Sequence, residues 1–599
     1  MGAIPGFLLK RLYVRGSLRN TPQGCAFTLR NVVDAGTVTR FYGLEVDGET
    51  IQPERIQVLR PGGEAVPAGS VAPDRPLSLP AGVELTLRLP GVSLSPGKHR
   101  LDFHFQTQEV GDLSFHVTDS VQESDANPQS PLSTTQYPIP NPQPATPAPD
   151  TPKAASRYPL AASRPPKIAI LGAGSAVFAR QLMTDLLCTP GLERGTFALV
   201  DVDGERLALA RGIAQLLIER SGRDWTVEAT EEREEVLAGC DHVISLIEVA
   251  GLRNVRPDYE IPLRYGVDQC IGDTIGPGGI FKMLRTGPAW LEIVRDVQRL
   301  CPGAVVMNYT NPMSALTLLA LRASDVQVVG LCHSVQGTSR QLAGYLDLPR
   351  EELRFRCAGI NHMAWFVELT HEGQDLYPRL RQAARDPEIY ECDPVRFEIM
   401  LAFGAFVTES SGHFSEYVPS FRKRPDLLER YTRAGYRGES GFYANNWPRW
   451  RQQADETIRA QLAGRSEVVL KRSEEYASYI VEAVETDRPV TIHGNVLNTG
   501  LIENLPAGSC VEVPVLVDGT GLHPVHFGPL PPQLAALDAA HTYVHELMVQ
   551  AVLERDRKAA LQALMLDPLT AAVLSPAEIG KMFDEMWDAE RKDLEVYEA

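Results

Sequence analysis

The chain has 599 residues, 44% hydrophobic and 22% charged, and is long enough to form two or three globular domains. Its formal net charge of −18 argues against a general nucleic-acid-binding or anionic-membrane surface. The nine cysteines contain no C-x-x-C pair, a pattern typical of reduced thiols in the cytoplasm rather than of a secreted disulfide framework. The N-terminal apolar stretch is too short for a signal peptide, and no segment is apolar for long enough to span a bilayer. We therefore expect a cytoplasmic protein with no nucleic-acid or membrane partner.

Three stretches of different character follow one another. Residues 1–122 contain short alternating runs such as HRLDFHFQTQ, separated by turn residues, which predict an all-β, sandwich-like domain of unknown role. Residues 123–166 are rich in proline and poor in large apolar residues, so they predict an extended linker. From residue 167 onward strands and helical runs alternate, which indicates an α/β fold. Within it we expect a Rossmann-type NAD-binding domain over 167–360 and a catalytic, substrate-binding and oligomerisation domain over 361–599.

The stretch KIAILGAGS, with the later FALVDVD, predicts the beginning of a Rossmann unit. Gly172 allows the tight turn after the first strand, and Gly174, followed by Ser175, lets the backbone approach a pyrophosphate. Asp201 ends the second strand, where it can accept hydrogen bonds from an adenosine ribose hydroxyl, which favours NAD over NADP. The fingerprint is degenerate, because Val177 stands in the place of the third glycine.

Polar residues follow the next buried strand, in VVMNYTNPM. Asn308 and Asn311 lie just past its carboxyl end, where ligands bind in open α/β sheets, although turn residues ahead of Pro312 would look the same. The earlier glycine-rich stretch 272–279 is interpreted as an ordinary flexible loop between structured runs.

A cysteine and two histidines occur at further strand ends. Cys332 and His333 lie in GLCHSVQG, and Asn361 and His362 lie in CAGINHMAWF. A thiolate and an imidazole from two strand ends can share a divalent cation, with coordination positions left open for catalysis. From spacing alone, packed core residues are the commoner explanation.

The ordered set GAGS, GDTIGPGGIF, NYTNPM, GLCHSVQGT and AGINHMAWF closely resembles glycoside hydrolase family 4, the NAD- and metal-dependent glycosidases. The resemblance runs from about residue 167 essentially to the end. CHSV, at 332–335, is similar to the α-galactosidase branch of that family. The resemblance therefore implies a Rossmann and catalytic fold of the lactate/malate dehydrogenase-like type, NAD and Mn²⁺ (or another divalent metal) as cofactors, and a small oligosaccharide or glycoside as substrate. It also implies a homodimer or homotetramer.

The family's mechanism is oxidation of the sugar at C3 with NAD, removal of the C2 proton, elimination from C1, addition of water and reduction at C3. By resemblance, Cys332 and His362 are the metal ligands and His333 donates the proton to the leaving oxygen. Asn311 contacts the sugar, with Asn308 a weaker second candidate.

The base that removes the C2 proton is harder to assign. The family often uses a tyrosine aided by a nearby aspartate, and the corresponding stretch is 407–421. Tyr417 is the candidate base, His413 and Glu416 are its rivals, and we identify no counterpart of the aspartate.

Other functions remain open on sequence alone. An α-galacturonidase or α-glucuronidase of the same family would prefer a carboxylated sugar. A 2-hydroxy acid dehydrogenase shares the Rossmann topology but needs a His–Asp relay and an arginine clamp that we cannot place. A non-catalytic nucleotide-binding scaffold would not explain Cys332, His333 and His362 near loops.

Overall fold

A computed structural model describes residues 12–14, 17–21, 24–30, 36–59, 65–79, 84–108, 111–121, 164–175 and 178–598. The predicted linker, 123–166, lies outside the described residues except for its last three. The chain separates into two compact units, and each is described by itself. None of the described helices is both long and apolar enough to cross a membrane.

The N-terminal unit consists of two five-stranded antiparallel sheets, ordered β1-β2-β8-β5-β6 and β10-β9-β3-β4, with β7 pairing with β3. Its strands are β1 Arg19–Thr21, β2 Gly24–Arg30, β3 Gly36–Val46, β4 Glu49–Ile51, β5 Gln57–Leu59, β6 Ala65–Pro67, β7 Leu77–Leu79, β8 Glu84–Pro90, β9 Gly97–Thr107 and β10 Gly111–Val121, with 3₁₀ turns at Pro53–Arg55 and Ala68–Ser70. The short helix Pro387–Tyr390 is also assigned to this unit.

Alternation along the strands produces the core of this unit. In β9 the apolar residues Leu101, Phe103 and Phe105 are buried while their neighbours face outward. Phe103 stacks on Phe115 of β10 at 4.7 Å, and side chains of both sheets form one core that includes Phe27. The prediction of an all-β, sandwich-like N-terminal region is confirmed.

The larger unit is built on one sheet of thirteen described strands. Its first half is parallel, in the order β13-β12-β11-β14-β15-β16, which is the Rossmann order. These strands are β11 Lys167–Leu171, β12 Arg194–Val200, β13 Asp224–Thr230, β14 His242–Ser245, β15 Val305–Asn308 and β16 Gln327–Gly330. The α/β fold and the Rossmann half are thus as predicted.

The second half of the sheet is antiparallel and continues from β16 in the order β21-β22-β17-β18-β19, with β20 pairing with β18 and β23 with β22. Its strands are β17 Arg354–Ile360, β18 Met363–His371, β19 Gln374–Asp375, β20 Phe406–Val407, β21 Val490–Leu497, β22 Cys510–Asp518 and β23 Gly521–Pro524. The boundary expected at 360/361 falls in the hairpin turn between β17 and β18, inside this continuous sheet.

Helices cover both faces of the sheet. Ile168 and Ile170 of β11 belong to one apolar core, while the alternate residues Ala169 and Leu171 belong to another. The helices are Phe178–Leu187, Gly204–Ser221, Glu234–Leu237, Leu252–Arg264, Gly276–Leu300, Met313–Ala323, Ser334–Tyr345, Tyr377–Ala383, Pro394–Phe403, Ser411–Tyr417, Pro425–Tyr431, Phe442–Leu462, Tyr476–Thr486, Pro532–Glu554, Arg557–Leu566, Pro568–Val573 and Pro576–Glu590. 3₁₀ turns lie at Arg350–Glu352, Pro419–Phe421, Gly435–Arg437, Arg591–Asp593 and Glu595–Tyr597.

The interpretation of 272–279 as a flexible surface loop is wrong. Most of this stretch is buried, and it leads directly into helix Gly276–Leu300. A Cβ at Gly278 would lie 2.2 Å from the carbonyl oxygen of Gly272, and one at Gly279 would lie 2.4 Å from the carbonyl carbon of Thr274. The glycines are there because backbone packs on backbone, and they do not signal mobility.

Candidate active site

The carboxyl ends of β15 and β16 lie side by side, since Asn308 is paired with Gly330. Cys332 and His333 follow β16 directly and precede helix Ser334–Tyr345. His362 lies in the two-residue turn of the β17–β18 hairpin with a φ of 65°. This left-handed conformation is uncommon for a residue other than glycine, and such residues are enriched at functional sites.

Three potential metal ligands converge here. Cys332 Sγ, a ring nitrogen of His362 and a carboxylate oxygen of Glu409 all lie within 4.8 Å of one another. Strand β20 brings Glu409 to this place, because Val407 pairs with Trp365 of β18, and Glu409 Oε2 lies 3.5 Å from His362 Nε2. Sulfur, nitrogen and oxygen donors together fit a divalent transition metal. Sequence reasoning found Cys332 and His362 but missed Glu409, which stands in a stretch with no ligand spacing.

The electrostatics of this cluster are set by burial. Burial lowers the pKa of His362 to about 4, so its imidazole is neutral and able to bind a metal at neutral pH. Burial, reinforced by the charges of Glu512 and Glu409, raises the pKa of the Cys332 thiol. Burial opposes ionisation of Glu409, but His362, His413 and the hydrogen bonds from Ser410 together hold the Glu409 pKa below its usual value. A bound cation would favour the Cys332 thiolate that burial disfavours.

Tyr417 adjoins the cluster from the buried helix Ser411–Tyr417, with its hydroxyl oxygen 3.5 Å from His362 Nδ1. Glu416, the alternative candidate for the base, already has hydrogen-bond partners. Its carboxylate accepts hydrogen bonds from the backbone N–H groups of Cys270, Ile271 and Gly272 at 2.8, 2.6 and 3.0 Å. Glu416 therefore fixes a neighbouring loop and is not placed to act as the base.

His413, the other rival, does lie at the site. Its ring centroid is 4.7 Å from that of His362, and its Nε2 has no hydrogen-bond partner among the described residues. Tyr417 and His413 thus border the same space.

Asp273 follows the loop that Glu416 fixes. Its Oδ2 accepts a hydrogen bond from Asn311 Nδ2 at 3.1 Å and lies 3.8 Å from Lys282 Nζ. Burial opposes ionisation of Asp273, but Lys282 and His413 lower its pKa below the usual value, so it is charged. Burial raises the pKa of the Tyr417 hydroxyl, and the charge of Asp273 is among those that raise it further. The GDTIG stretch contains this aspartate, and sequence reasoning missed it by treating the stretch as a surface loop.

The two asparagines of NYTNPM have different surroundings. Asn311 keeps a buried Oδ1 without a partner among the described residues, next to Asp273. Asn308 is fully buried, and its amide is hydrogen-bonded to the Thr310 backbone and Thr317 Oγ1. Asn308 is thus less well placed than Asn311 to contact a substrate, and its role stays a prediction.

His333 lies at the rim, with 64% of its side chain exposed. Its Nδ1 is 3.6 Å from Glu475 Oε1, and its ring stacks on Phe178 at 6.4 Å. An imidazole that reaches solvent and has a carboxylate beside it can exchange a proton with water.

The glycine turn after β11 has the geometry of a dinucleotide-binding loop. Gly172 has a φ of 77°, and a Cβ there would lie 2.6 Å from the carbonyl oxygen of Leu246. Ser175 N donates to Gly172 O at 2.9 Å, which closes the turn. Asp201 Oδ2 accepts a hydrogen bond from Gly174 N at 2.7 Å, so the acid also ties the loop to the second strand.

Arg206 borders the same loop. Its guanidinium donates to Gly174 O and pairs with Asp455 at 3.0 Å. A pocket is lined here by Ala173, Gly174, Ser175, Arg206, Asp455 and Ile458.

Comparison with known proteins gives a consistent result for the larger unit. Residues 167–348 match the family described as Family 4 glycosyl hydrolase, and residues 357–570 match its C-terminal domain. Residues 8–122 match the family described as Hydroxymethylglutaryl-CoA reductase, N-terminal domain.

Curated relatives cover the same part of the chain. An alpha-galactosidase of Bacillus subtilis (strain 168) is 39% identical over 72% of this chain and 99% of its own length. An alpha-galactosidase of Rhizobium meliloti (strain 1021) is 38% identical over 72% of this chain and 89% of its own length. An alpha-galacturonidase of Lachnoclostridium phytofermentans is 29% identical over 72% of this chain and 96% of its own length.

Solved structures share the fold. The crystal structure of lplD from Bacillus subtilis is 27% identical, with a TM-score of 0.63 over 70% of this chain and 99% of that one. A 6-phospho-beta glucosidase of Thermotoga maritima, solved with manganese, NAD⁺ and glucose-6-phosphate, is 22% identical, with a TM-score of 0.59 over 71% of this chain and 98% of that one. At 22% identity the second likeness is one of fold.

Proposed function

This chain belongs to glycosyl hydrolase family 4, and from that premise we propose that it hydrolyses α-galactosides with NAD and a divalent metal such as Mn²⁺. The observation that carries the proposal is the cluster of Cys332, His362 and Glu409 beside Tyr417, next to the carboxyl ends of the Rossmann strands. Because the chain belongs to a glycosidase family, we no longer consider the alternative of a 2-hydroxy acid dehydrogenase.

The described residues fit both groups. The metal would be held by Cys332, His362 and Glu409, whose donor atoms already converge. The cofactor would lie over the turn of Gly172 and Gly174. A Cβ at Gly172 would lie 2.6 Å from the carbonyl oxygen of Leu246, and one at Gly174 would lie 2.6 Å from Arg206 Cβ, so neither position has room for a side chain. Arg206 is paired with Asp455 and is not free to take a ribose 2′-phosphate, which supports NAD over NADP.

The residues of the chain divide the remaining work. The chemistry that the bound groups supply is reversible hydride transfer at C3 and polarisation of the sugar oxygens by a cation that also favours the Tyr417 phenolate. Tyr417 takes the C2 proton, and the bound cation would offset the burial and the carboxylate charges that raise the pKa of its hydroxyl. Asn311 orients a sugar hydroxyl through its unpartnered Oδ1.

His333 gives a proton to the leaving oxygen at C1 and regains it from solvent. Its exposure allows that exchange, and the Glu475 carboxylate lies 3.6 Å from its Nδ1. An exposed histidine at the entrance of a site can both donate a proton to the leaving group and recover one from solvent, whereas a fully buried histidine has no solvent from which to recover it.

The charges around the site support a neutral sugar rather than a uronide. Asp273 and Glu409 are anionic, and Lys282 is engaged by Glu248 at 2.9 Å and by Asp273 at 3.8 Å. A sugar carboxylate placed here would meet like charges. The α-galacturonidase alternative stays within the family, and the identity of the relatives, 38–39% against 29%, also favours the galactosidase.

The setting is proposed to be cytoplasmic and reducing. All nine cysteines are described and none of them forms a disulfide, and an oxidised Cys332 could not bind a metal. Assembly into a homodimer or homotetramer remains a prediction from the family resemblance.

Release of nitrophenol from an aryl α-galactoside tests the proposal. The protein is stripped of bound cofactor and metal and assayed under reducing conditions, with and without NAD⁺ and Mn²⁺. We expect hydrolysis only when both are added, and Cys332→Ser should abolish it, while Cys188→Ser, at a partly exposed thiol outside the cluster, should not. Hydrolysis indifferent to both additions would overturn the mechanism. Cleavage of the galacturonide alone would keep the mechanism and change the substrate.

A further inference from the structure

Aromatic side chains form a compact group next to the site. Tyr436 belongs to the 3₁₀ turn Gly435–Arg437, and Phe442 and Trp450 lie in the first part of helix Phe442–Leu462. The Tyr436 ring stacks on Trp450 at 6.0 Å with an interplanar angle of 13°, and it meets Phe442 edge-on at 4.7 Å. Phe442 and Trp450 are themselves 5.3 Å apart. We call these three residues the aromatic platform.

The Tyr436 ring is held by contacts with two other rings and is at the same time exposed to solvent. Tyr436 is 54% exposed although two other aromatic rings fix it from one side. Contiguous exposed apolar side chains can mark a binding surface, and here the exposed ring is one of three aromatic side chains in mutual contact.

Backbone contacts tie the platform to the active site. A Cβ at Gly412, in the helix that carries Tyr417, would lie 2.4 Å from the carbonyl oxygen of Tyr436. Cys270, in the loop before Asp273, donates from its Sγ to Gly435 O at 3.7 Å and accepts at its carbonyl from Tyr443 N at 3.0 Å. The platform therefore borders both the helix of the candidate base and the loop of Asp273.

The Tyr436 hydroxyl is close enough to two carboxylates of the site to be affected by their charges. Burial raises the pKa of Tyr436, and the charges of Asp273 and Glu409 raise it further. Together with the backbone contacts of Gly412 and Cys270, this places Tyr436 beside the space in which the reacting sugar is placed.

Resting on the proposed α-galactosidase function, we propose that Tyr436, backed by Phe442 and Trp450, stacks against the neutral sugar unit that departs from C1. The C–H face of a pyranose is apolar and flat enough to lie on an aromatic ring, while its rim of hydroxyls stays in water. The carboxylates nearby disfavour an anionic leaving group. The platform thus selects a saccharide leaving group over a small alcohol.

The test compares two substrates of the intact protein loaded with NAD⁺ and Mn²⁺. One is an α-galactosyl disaccharide, and the other is methyl α-galactoside, whose leaving group is too small to cover a ring. Tyr436→Leu should lower the ratio of the two kcat/KM values (disaccharide over methyl glycoside) about tenfold, mainly through KM, because stacking contributes to ground-state and transition-state binding alike.

Controls isolate the ring. Tyr436→Phe retains the ring and should retain the ratio. Tyr436→Gln is a second ring-free variant, suited to a half-exposed position in case the leucine variant fails to fold, and it should lower the ratio as leucine does. Tyr543→Leu removes a similarly exposed tyrosine, at 57%, from helix Pro532–Glu554 and should leave the ratio unchanged.

The outcomes separate this inference from the proposed function. A wild type that cleaves no α-galactoside would overturn the function and the platform with it. An active wild type whose ratio is unchanged in Tyr436→Leu and Tyr436→Gln would overturn the platform alone. A change in oligomeric state of these variants on size-exclusion chromatography would also overturn it, by making the surface an interface between copies.

Discussion

Glu409 changes the chemistry expected of the pair Cys332 and His362. The neutral His362 imidazole and the buried Cys332 thiol carry no charge of their own. The ionised Glu409 carboxylate gives the cluster a negative charge that attracts a divalent cation. The carboxylate also faces His362 Nε2, which orients that nitrogen into the cluster.

Replacing Glu409 tests whether it is a ligand. Glu409→Gln keeps an oxygen donor but removes the charge, so we expect the Kd for Mn²⁺ to rise about 10- to 100-fold. Calorimetric titration of the reduced, NAD-loaded protein measures it. Glu503→Gln, at a side chain 55% exposed, is the control and should bind Mn²⁺ as the wild type does. Unchanged affinity in Glu409→Gln would remove Glu409 from the ligand set.

Tyr417 is tested by removing one oxygen atom. The hydroxyl's contact with His362 Nδ1 is long, at 3.5 Å, so Tyr417→Phe should fold normally and yet lose about 10²- to 10⁴-fold in kcat. Exchange of the sugar C2 proton with D₂O, followed by NMR, should slow equally. Tyr265→Phe, which removes a hydroxyl bound to Glu585 at 3.0 Å, should do neither. Normal exchange in Tyr417→Phe together with loss in His413→Ala would transfer the role to His413.

Some of these residues could be predicted from sequence and others could not, for a local reason. Cys332 directly follows a strand whose apolar run is plain in the sequence, so its position at a sheet edge is inferable. Glu409 reaches the site only because β20, two residues long, pairs with β18. Asn308 and Asn311 stand three residues apart with similar local sequence, and only the packed structure shows which of the two is buried.

At the scale of elements, helix Ser411–Tyr417 and loop 270–273 behave as one piece. Glu416 accepts three backbone N–H groups of the loop, and Gly412 packs on the backbone of Tyr436. The helix therefore positions Tyr417 directly and Asp273 through the loop. No sequence pattern reveals such a contact, because its partners are 144–146 residues apart.

Glu416→Ala tests this coupling. The variant leaves three buried amides without an acceptor, so we expect the free energy of unfolding to fall by about 2–4 kcal/mol. Amide exchange at residues 270–272, measured by mass spectrometry, should become at least about tenfold faster, and kcat should fall because Asp273 loses its fixed position.

A surface carboxylate provides the comparison for Glu416→Ala. Glu578 accepts from Ser575 N at 2.8 Å in an exposed capping box, so Glu578→Ala should lower the free energy of unfolding far less than Glu416→Ala and leave activity unchanged. Wild-type exchange at 270–272 in Glu416→Ala would contradict the coupling.

At the scale of the whole molecule, the continuous sheet explains both the site and its surroundings. Joining a parallel half to an antiparallel half at Gly330 and Asn495 brings a Rossmann strand end next to the hairpin of His362. The hydrophobic pattern of the sequence predicts the fold class and the Rossmann half. It does not predict this junction, because the two strands pair at a single position and lie 160 residues apart in sequence. Helices cover both faces of the sheet, and they also bury polar residues that lie between the helices and the strands.

That burial includes histidines that remain neutral in the folded state. Burial lowers the pKa of His493 and His541 to about 4 and that of His545 to about 3. In the unfolded chain each titrates near the ordinary value of about 6.5. Between about pH 6.5 and 4 the unfolded state therefore binds more protons, and the stability that these groups contribute is complete above pH 6.5 and lost as pH falls.

His545→Leu measures the contribution of one such group. His545 is 2% exposed, on helix Pro532–Glu554, and its Nδ1 has no partner among the described residues. Urea unfolding of the intact, metal-free chain at pH 7, 6 and 5 gives the dependence of stability on pH. Between pH 6 and 5 we expect the variant's slope to be shallower than the wild type's by up to about 1.4 kcal/mol per pH unit, the value for one proton. His526→Leu, at a side chain 62% exposed, should retain the wild-type slope. Equal slopes for His545→Leu and the wild type would mean that His545 is already protonated in the folded protein, against the effect of its burial.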